Sequence, residues 1–524
     1  MARMRMAKAL RAWGRGMSTG SGEALVGAID QGTQSTRFML FDKDVNVVAS
    51  HQIEHRQVMP RAGWVEHEPE LLVKNTKRCI ESAVAKAVEK LGNVDVKGVG
   101  VTNQRETTLV WDKKTGRPLH NAIVWLDSRT SAICHRMERE LSKEHFRGVT
   151  GLPISTYFSA YKLRWMMENS PVVEEAVKNR SCMMGTVDSW LIYNLTKEGD
   201  KGGVHVTDVT NASRTNLMEL KTCNWHPESA ALFDIPLEIL PEIKSNAEVY
   251  GHITEGPLAS VPVAGCIGDQ QAAALGQRCV PGEAKNTYGT GCFLLLNTGG
   301  DIVKSTHGLL TTVGFKLGKD KPTNYALEGA IGVGGVGVTW LKDKLNIIES
   351  AADVEKVASS VEDTAGVYFV PAFGGLLAPH WDEDARGTIV GLTQYTTKAH
   401  IARSMLEAIC FQTREVLDAM KKDASNLDLK VLRVDGGASN NNLLMQMQAD
   451  ILGLPVIRPP SVETTVAGAA ISAGLAVGLF NEKQIFYGHT DTKIFQPTTT
   501  EMERDSRYAW WTRAVDRSKA WAIE

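Results

Sequence analysis

Asp30-Gln-Gly-Thr-Gln-Ser-Thr-Arg-Phe-Met-Leu40 places a polar, glycine-containing turn in front of an apolar run. Leu25–Ile29 before the turn and Thr36–Phe41 after it read as strands, so the stretch is a hairpin. The design returns at Thr287-Tyr-Gly-Thr-Gly-Cys-Phe-Leu-Leu-Leu296, where a Gly/Thr turn again runs into a strand. Two such hairpins suggest an internal duplication, each one opening a mixed α/β domain, with the two turns facing each other across a cleft.

Working outward, Val45–His51 and Val96–Thr102 read as further strands. Pro69–Leu91 reads as a helix, with proline in its first turn and Leu72, Thr76, Cys79, Ile80 and Val84 near helical spacing. Pro-Gly punctuation around Gly276–Gly282 marks the domain boundary. Beyond it, Val431–Val434 predicts a strand, Asp435-Gly-Gly-Ala-Ser-Asn440 a tight loop and Asn441–Leu452 a helix stopped by Gly453-Leu-Pro455. At 524 residues the chain is too long for one core. The expected division is a basic extension over 1–22, an N-terminal domain over 23–276, a C-terminal domain over 277–510 and a tail over 511–524.

A formal net charge of −2 gives no reason to expect nucleic acid or an acidic membrane surface as a partner. No apolar run is long enough for a membrane span. Val466–Phe480, with its Gly474-x-x-x-Gly478 spacing, reads as a tightly packed soluble helix. The eight cysteines are scattered without a C-x-x-C pair, which argues against a zinc site or a disulfide framework and for a reducing compartment. Asn194-Leu-Thr196 and Asn211-Ala-Ser213 are then chance matches to a glycosylation triplet. The expected location is the cytoplasm. The alternative is the mitochondrion, because Arg3, Arg5, Lys8, Arg11 and Arg15 alternate with apolar residues as in a presequence.

Three turns have the makings of phosphate loops. In the first, Gly32 allows backbone N–H groups to converge on an anion, Thr33 and Ser35 add hydroxyls, and Asp30 at the strand end offers a hard oxygen to Mg²⁺. A plain hairpin would use the same residues. Gly289-Thr-Gly291 and Gly436-Gly437 are the second and third, and there is no Walker A motif. Gly332-Val-Gly-Gly-Val-Gly337 fits a dinucleotide fingerprint formally, with Asp353 about 20 residues on, which keeps a dehydrogenase among the alternatives.

Asn103-Gln-Arg-Glu-Thr107 follows the Val96–Thr102 strand and sets a donor, Arg105, beside an acceptor, Glu106, as a polyhydroxy ligand requires. Trp125 and Tyr157 are pocket walls or ordinary core. Asp269, between the strand Pro262–Ile267 and an alanine-rich helix, is either an N-cap or a carboxylate that takes the proton of an attacking alcohol.

Together these residues resemble the FGGY family of carbohydrate kinases, over about Leu25 to Thr498. Tyr157-Phe-Ser-Ala-Tyr-Lys-Leu-Arg-Trp-Met-Met-Glu-Asn169 is similar to the first family signature. Gly387-Thr-Ile-Val-Gly391-Leu392, followed by His400-Ile-Ala-Arg-Ser-Met-Leu-Glu407, is similar to the second. The Arg105-Glu106 and Gly268-Asp-Gln-Gln271 stretches resemble those members that act on glycerol.

The resemblance implies two actin-like, ribonuclease H-like ATPase domains and the ATP-dependent phosphorylation of glycerol to sn-glycerol 3-phosphate. It implies that Arg105, Glu106, Tyr157, Asp269 and Gln270 hold the hydroxyls and that Trp125 and Phe293 wall the carbon chain. Asp269 would be the base, with Asp30 and Asp269 near Mg²⁺. Thr33, Gln34, Ser35 and Arg37 would border the phosphates, and Thr290, Gly335, Thr339, Gly437 and Asn441 would line the ATP site. Gln34 and Thr339 depart from the residues common in the family. A homodimer is a further expectation. The competing readings are a kinase for another polyol or sugar, an actin- or chaperone-like ATPase, and the dehydrogenase.

Overall fold

The computed structural model describes residues 22–488 and 492–522. The basic extension, apart from Gly22, lies outside the described residues.

The chain divides into two units. The first holds the residues up to Arg278 together with Thr312–Asn324 and Thr465–Gly488; the second holds Cys279–Thr311, Tyr325–Thr464 and the residues after Gly488. The backbone therefore passes between units several times, where the sequence reading expected one crossing near residue 276. The helix Thr464–Ala476 shows the reason. Its Val466, Ala469, Ala470, Ile471 and Ala473 are buried in one cluster with Val26, Ala28, Ala264, Ile267 and Ala272 of the first unit. Nor do residues 511–518 stand apart as a tail. The helix Glu501–Ser518 runs through that point, capped at Thr500, and buries Trp511, Ala514 and Val515 in the second unit's core.

The first unit is built on strands β1 (Glu23–Gln31), β2 (Ser35–Phe41), β3 (Val47–Glu54), β4 (Val94–Asn103), β5 (Ala247–His252) and β6 (Pro262–Gly268). Their order is β5-β6-β4-β1-β2-β3. β1 pairs antiparallel with β2 but parallel with β4, which is parallel to β6. The helix Pro69–Leu91 covers one face, burying Leu72, Cys79, Ile80, Ala83, Val84 and Ala87. Strands buried on both faces read as continuous apolar runs, and Leu25–Ile29 is one.

The second unit uses β7 (Ala284–Tyr288), β8 (Cys292–Gly299), β9 (Asn324–Ile331), β10 (Leu432–Asp435), β11 (Val456–Arg458) and β12 (Lys493–Phe495). The order β12-β11-β10-β7-β8-β9 repeats that of the first sheet position by position, and Leu310–Phe315 adds a seventh strand beyond β9. The sense of every pairing repeats too: β7 is antiparallel to β8 and parallel to β10, β11 is parallel to β10, and β12 runs antiparallel at the edge. The short echo between the two hairpins is thus the visible trace of a duplicated six-strand unit, the expected ribonuclease H-like architecture occurring twice.

Candidate functional site

β1, β4 and β6 run parallel and end level with one another. Gln31 and Gly268 both pair with Asn103, and Asp30 and Ile267 both flank Thr102. The carboxyl ends of parallel strands are where open α/β sheets expose backbone and loops to ligand. Three short loops leave this edge: Gly32–Gln34, Gln104–Thr107 and the start of the helix Asp269–Gly276.

In the first loop the Gly32 N–H donates to the Ser35 carbonyl at 3.0 Å, closing a tight turn. The Trp125 indole N–H donates to Thr33 Oγ1 at 3.0 Å, and Thr33 donates to Gln104 Oε1 at 3.4 Å. Gln104 Nε2 also reaches the Gly32 carbonyl at 3.3 Å. The phosphate-loop candidate is thereby bolted to the Asn103–Thr107 loop. Asp30 faces Arg37 across the hairpin register, Ser35 is half-buried and Gln34 is exposed.

In the second loop two guanidiniums and two carboxylates alternate. Arg214 Nε donates to Glu106 Oε1 at 2.7 Å; Arg105 Nε lies 3.8 Å from the same oxygen and 3.3 Å from Asp269 Oδ1. Arg105, Glu106 and Arg214 are almost fully buried, whereas the Asp269 side chain keeps 30% exposure. Each charge in the set faces an opposite one, which offsets the cost of burying it. Its one open end is the Asp269 carboxylate. Gly268 is required beside it: a Cβ there would meet Arg105 Cγ at 2.8 Å.

The walls are aromatic. Trp125 and Tyr157 meet edge to face at 5.6 Å, and the Arg214 guanidinium lies 5.5 Å from the Tyr157 ring. Lys162 Nζ donates to the Thr156 and Tyr157 carbonyls at 2.7 and 2.6 Å, and burial pulls its ammonium down to about 8. Gln270 is buried, and its backbone N–H donates to Asp269 Oδ1 at 2.7 Å. The structure thus gathers Arg105, Glu106, Asp269 and Gln270 in one place, and joins Trp125 to both Tyr157 and Thr33.

Sequence reasoning missed Arg214, Gln104 and Lys162. Arg214 carried a signal. It stands in Thr207-Asp-Val-Thr-Asn-Ala-Ser-Arg-Thr-Asn216, a run with one acid, one base and no lysine or glutamate, every residue of which is buried.

The second unit holds the remaining predicted residues. The Gly289–Gly291 turn joins β7 to β8. Thr290 accepts from the Gly334 and Val336 N–H groups at 3.0 and 3.1 Å, and Gly289 accepts from Gly335 at 2.8 Å. The turn is therefore seated on the first residues of the helix Gly335–Asp343, whose exposed Thr339 bonds back to the Gly335 carbonyl. At the end of β10, Gly436 adopts φ 83°, and a Cβ there would meet the Tyr288 carbonyl at 2.5 Å. Gly437 is exposed with open space over it, while Asn441 caps the helix Asn442–Leu452 by accepting from the Leu444 N–H. Phe293 lies on β8, and its carbonyl accepts from the buried Lys285 Nζ at 3.1 Å.

The dinucleotide fingerprint fails in context. Gly332–Gly337 does link a strand to a helix, but that strand, β9, pairs antiparallel with β8 and so belongs to no parallel βαβ unit. Asp353 is a half-buried residue at a helix start, bonded to Ser350.

Comparison with known proteins gives the family. The family model for the N-terminal domain of the FGGY family of carbohydrate kinases matches residues 25–276, and that for the C-terminal domain matches 284–477. A glycerol kinase of Arabidopsis thaliana is 54% identical over 508 residues, covering 94% of this chain and 97% of its own. One from Brucella anthropi is 53% identical over 498 residues, covering 95% and 99%. Among solved structures, the glycerol kinase of Plasmodium falciparum with ADP superposes with a TM-score of 0.89 at 38% identity, covering 97% of this chain and all of that one. With both domain models matched and near-complete overlap with these relatives, the chain belongs to the FGGY family of carbohydrate kinases.

Proposed function

We propose that this protein transfers the terminal phosphoryl group of ATP to a hydroxyl of glycerol, giving sn-glycerol 3-phosphate. The observation that carries the reading is the Arg214–Glu106–Arg105–Asp269 array, which presents donors and acceptors of both polarities beside an aromatic wall. A small neutral triol has no charge to grip, so such an array is what can hold it. The two relatives at 54% and 53% identity are glycerol kinases.

In this reading Arg105 donates to a glycerol oxygen, and Glu106 accepts from a hydroxyl hydrogen. Asp269, the exposed end of the array, orients the attacking hydroxyl and receives its proton. The transition state for phosphoryl transfer is loose, so positioning and charge stabilisation supply most of the rate. The Gly32–Ser35 loop offers backbone N–H groups and the Thr33 hydroxyl to the phosphates. ATP brings Mg²⁺, which neutralises charge on the phosphates. Asp30 and Asp269, hard oxygen donors at one sheet edge, fit such an ion and would hold it directly or through water. The eight free, buried thiols suit a reducing compartment, and we place the enzyme in the cytoplasm.

Purified protein given Mg-ATP and, separately, glycerol, xylulose, ribulose or gluconate tests the reading by ADP release and product identity. Glycerol should be the preferred acceptor. Absence of glycerol 3-phosphate would overturn the proposal, and faster turnover of another polyol would reassign the substrate.

A further inference from the structure

Asp208 lies at the base of the site, fully buried and remote from solvent. Its Oδ1 accepts from the Thr210 N–H at 2.6 Å, from the Thr210 hydroxyl and from Asn246 Nδ2 at 2.8 Å. Its Oδ2 accepts from Asn211 Nδ2 at 2.6 Å and from the Cys266 thiol at 3.3 Å. With the Asn211 N–H, 3.3 Å from Oδ1, six donors converge on one carboxylate, which fills its roughly four lone-pair sites.

Two of those donors lead to the reacting groups. Having given its proton to Asp208, the Thr210 hydroxyl accepts from the Gly268 N–H at 2.8 Å, one residue before Asp269. Asn211 exchanges a reciprocal pair of amide bonds with Asn103, at 3.0 and 3.1 Å, two residues before Arg105. The same segment supplies Arg214 to Glu106, and Ser213 to Thr312, which also accepts from Gln271.

We infer that Asp208 is a positioning residue: acting through Thr210 and Asn211, its carboxylate sets the spacing between the loop that carries Asp269 and the loop that carries Arg105. The inference rests on the glycerol kinase reading for its kinetic arm only.

The alternative role for this cluster is a cation site, since Asp188, Asp208 and Cys266 bring ligand atoms within 4.8 Å of one another. The hydrogen-bond pattern speaks against it. Asp208 is already saturated by donors, and Asp188 accepts from the Thr186 and Thr207 hydroxyls at 2.5 and 2.7 Å. Burial raises both carboxyls above their ordinary range, and at Asp188 the neighbouring Asp208 adds to the rise.

A carboxylate is needed at 208 because all its partners donate. An amide would turn its own N–H₂ against either Asn211 or Thr210. Thr210 is the cleaner probe, since valine keeps the shape and removes only the relay. Thr210→Val is expected to lower kcat for glycerol about 10-fold, with the KM for ATP unchanged, because small misplacements of a reacting group are costly. Thr210→Ser should restore most of the loss. In the Asp269→Asn background the same valine should have little further effect on kcat, since its action passes through Asp269. An undiminished kcat in folded Thr210→Val, or an equal fold-loss in both backgrounds, would overturn the inference. Hydrogen exchange over residues 262–276 reads the same bond without turnover. Asp208→Asn and Thr210→Val should each speed exchange of the Gly268 amide, and an unchanged rate would count decisively against the relay even if glycerol proved not to be the substrate.

Discussion

Arg214 Nε and Glu106 Oε1 form a 2.7 Å ion pair with both side chains essentially out of solvent, although 108 residues separate them in sequence. The pair ties a buried polar segment to the residue proposed to accept from a glycerol hydroxyl. Arg214→Met should leave the Glu106 charge to Arg105 Nε, 3.8 Å away, and cost about 3–5 kcal/mol of stability, as breaking buried pairs does. It should also raise the KM for glycerol more than that for ATP. Adding Glu106→Gln should recover part of the stability, because the remaining charges are then balanced, yet recover none of the glycerol affinity. Urea unfolding and substrate titrations on the single and double variants check this; a double variant with normal glycerol KM would refute the assigned role of Glu106.

Asp269 is the exposed member of the array, 3.3 Å from Arg105 Nε. Asp269→Asn preserves shape and removes the proton acceptor. Turnover should fall by about 10²-fold or more, as is typical for loss of a general base, while ATP still binds. Rapid-quench measurement of phosphoryl transfer, alongside ATP binding by calorimetry, separates the two. Retention of near-normal turnover would show that the base lies elsewhere.

The hairpins and the helix Pro69–Leu91 were legible because their signals are local: a glycine turn between apolar runs, or a proline followed by helical spacing. Arg105, Glu106 and Asp269 were legible as chemistry next to strand ends. Thr207–Asn216 was not, because uncharged polar residues look like a surface loop until the fold buries them. Asn211-Ala-Ser213 even mimicked a glycosylation triplet, whereas Asn211 is spent on Asn103 and Asp208. The place of Thr464–Ala476 was hidden too. Its apolar pattern says that it is buried, but nothing in that pattern says against which sheet.

That helix makes a prediction of its own. A Cβ on Gly100 of β4 would stand 2.1 Å from the Ala469 carbonyl oxygen, and one on Gly468 would stand 1.9 Å from the Ala272 carbonyl oxygen. Both obstacles are backbone and cannot rotate away. Gly100→Ala should therefore cost about 1–3 kcal/mol or more through overpacking. Gly148, in the short helix Arg147–Thr150, has nothing within 4 Å of its would-be Cβ, and Gly148→Ala should be neutral or stabilising by up to about 1 kcal/mol. Thermal melts of the two variants should shift in opposite directions or differ widely. Similar shifts would mean that the helix does not pack against β4 as described.

His67 sets the acid limit. It is buried, and its ring meets that of His55 edge to face at 5.0 Å. Burial, with a smaller contribution from the His55 charge, lowers its pKa from the ordinary 6.5 to about 4. Between those values the unfolded chain binds a proton at this position and the folded chain does not, so stability falls as pH drops from 6.5 toward 4. The full effect of this one group is about 3 kcal/mol. His67→Phe removes the titration and keeps an aromatic ring in the site. Unfolding free energies from urea titrations at pH 7.5, 6, 5 and 4.5 should show the variant gaining on the parent as pH falls, because the carboxylates common to both cancel in the difference. Parallel curves for the two proteins would mean that His67 takes up its proton in the folded state as readily as in the unfolded chain.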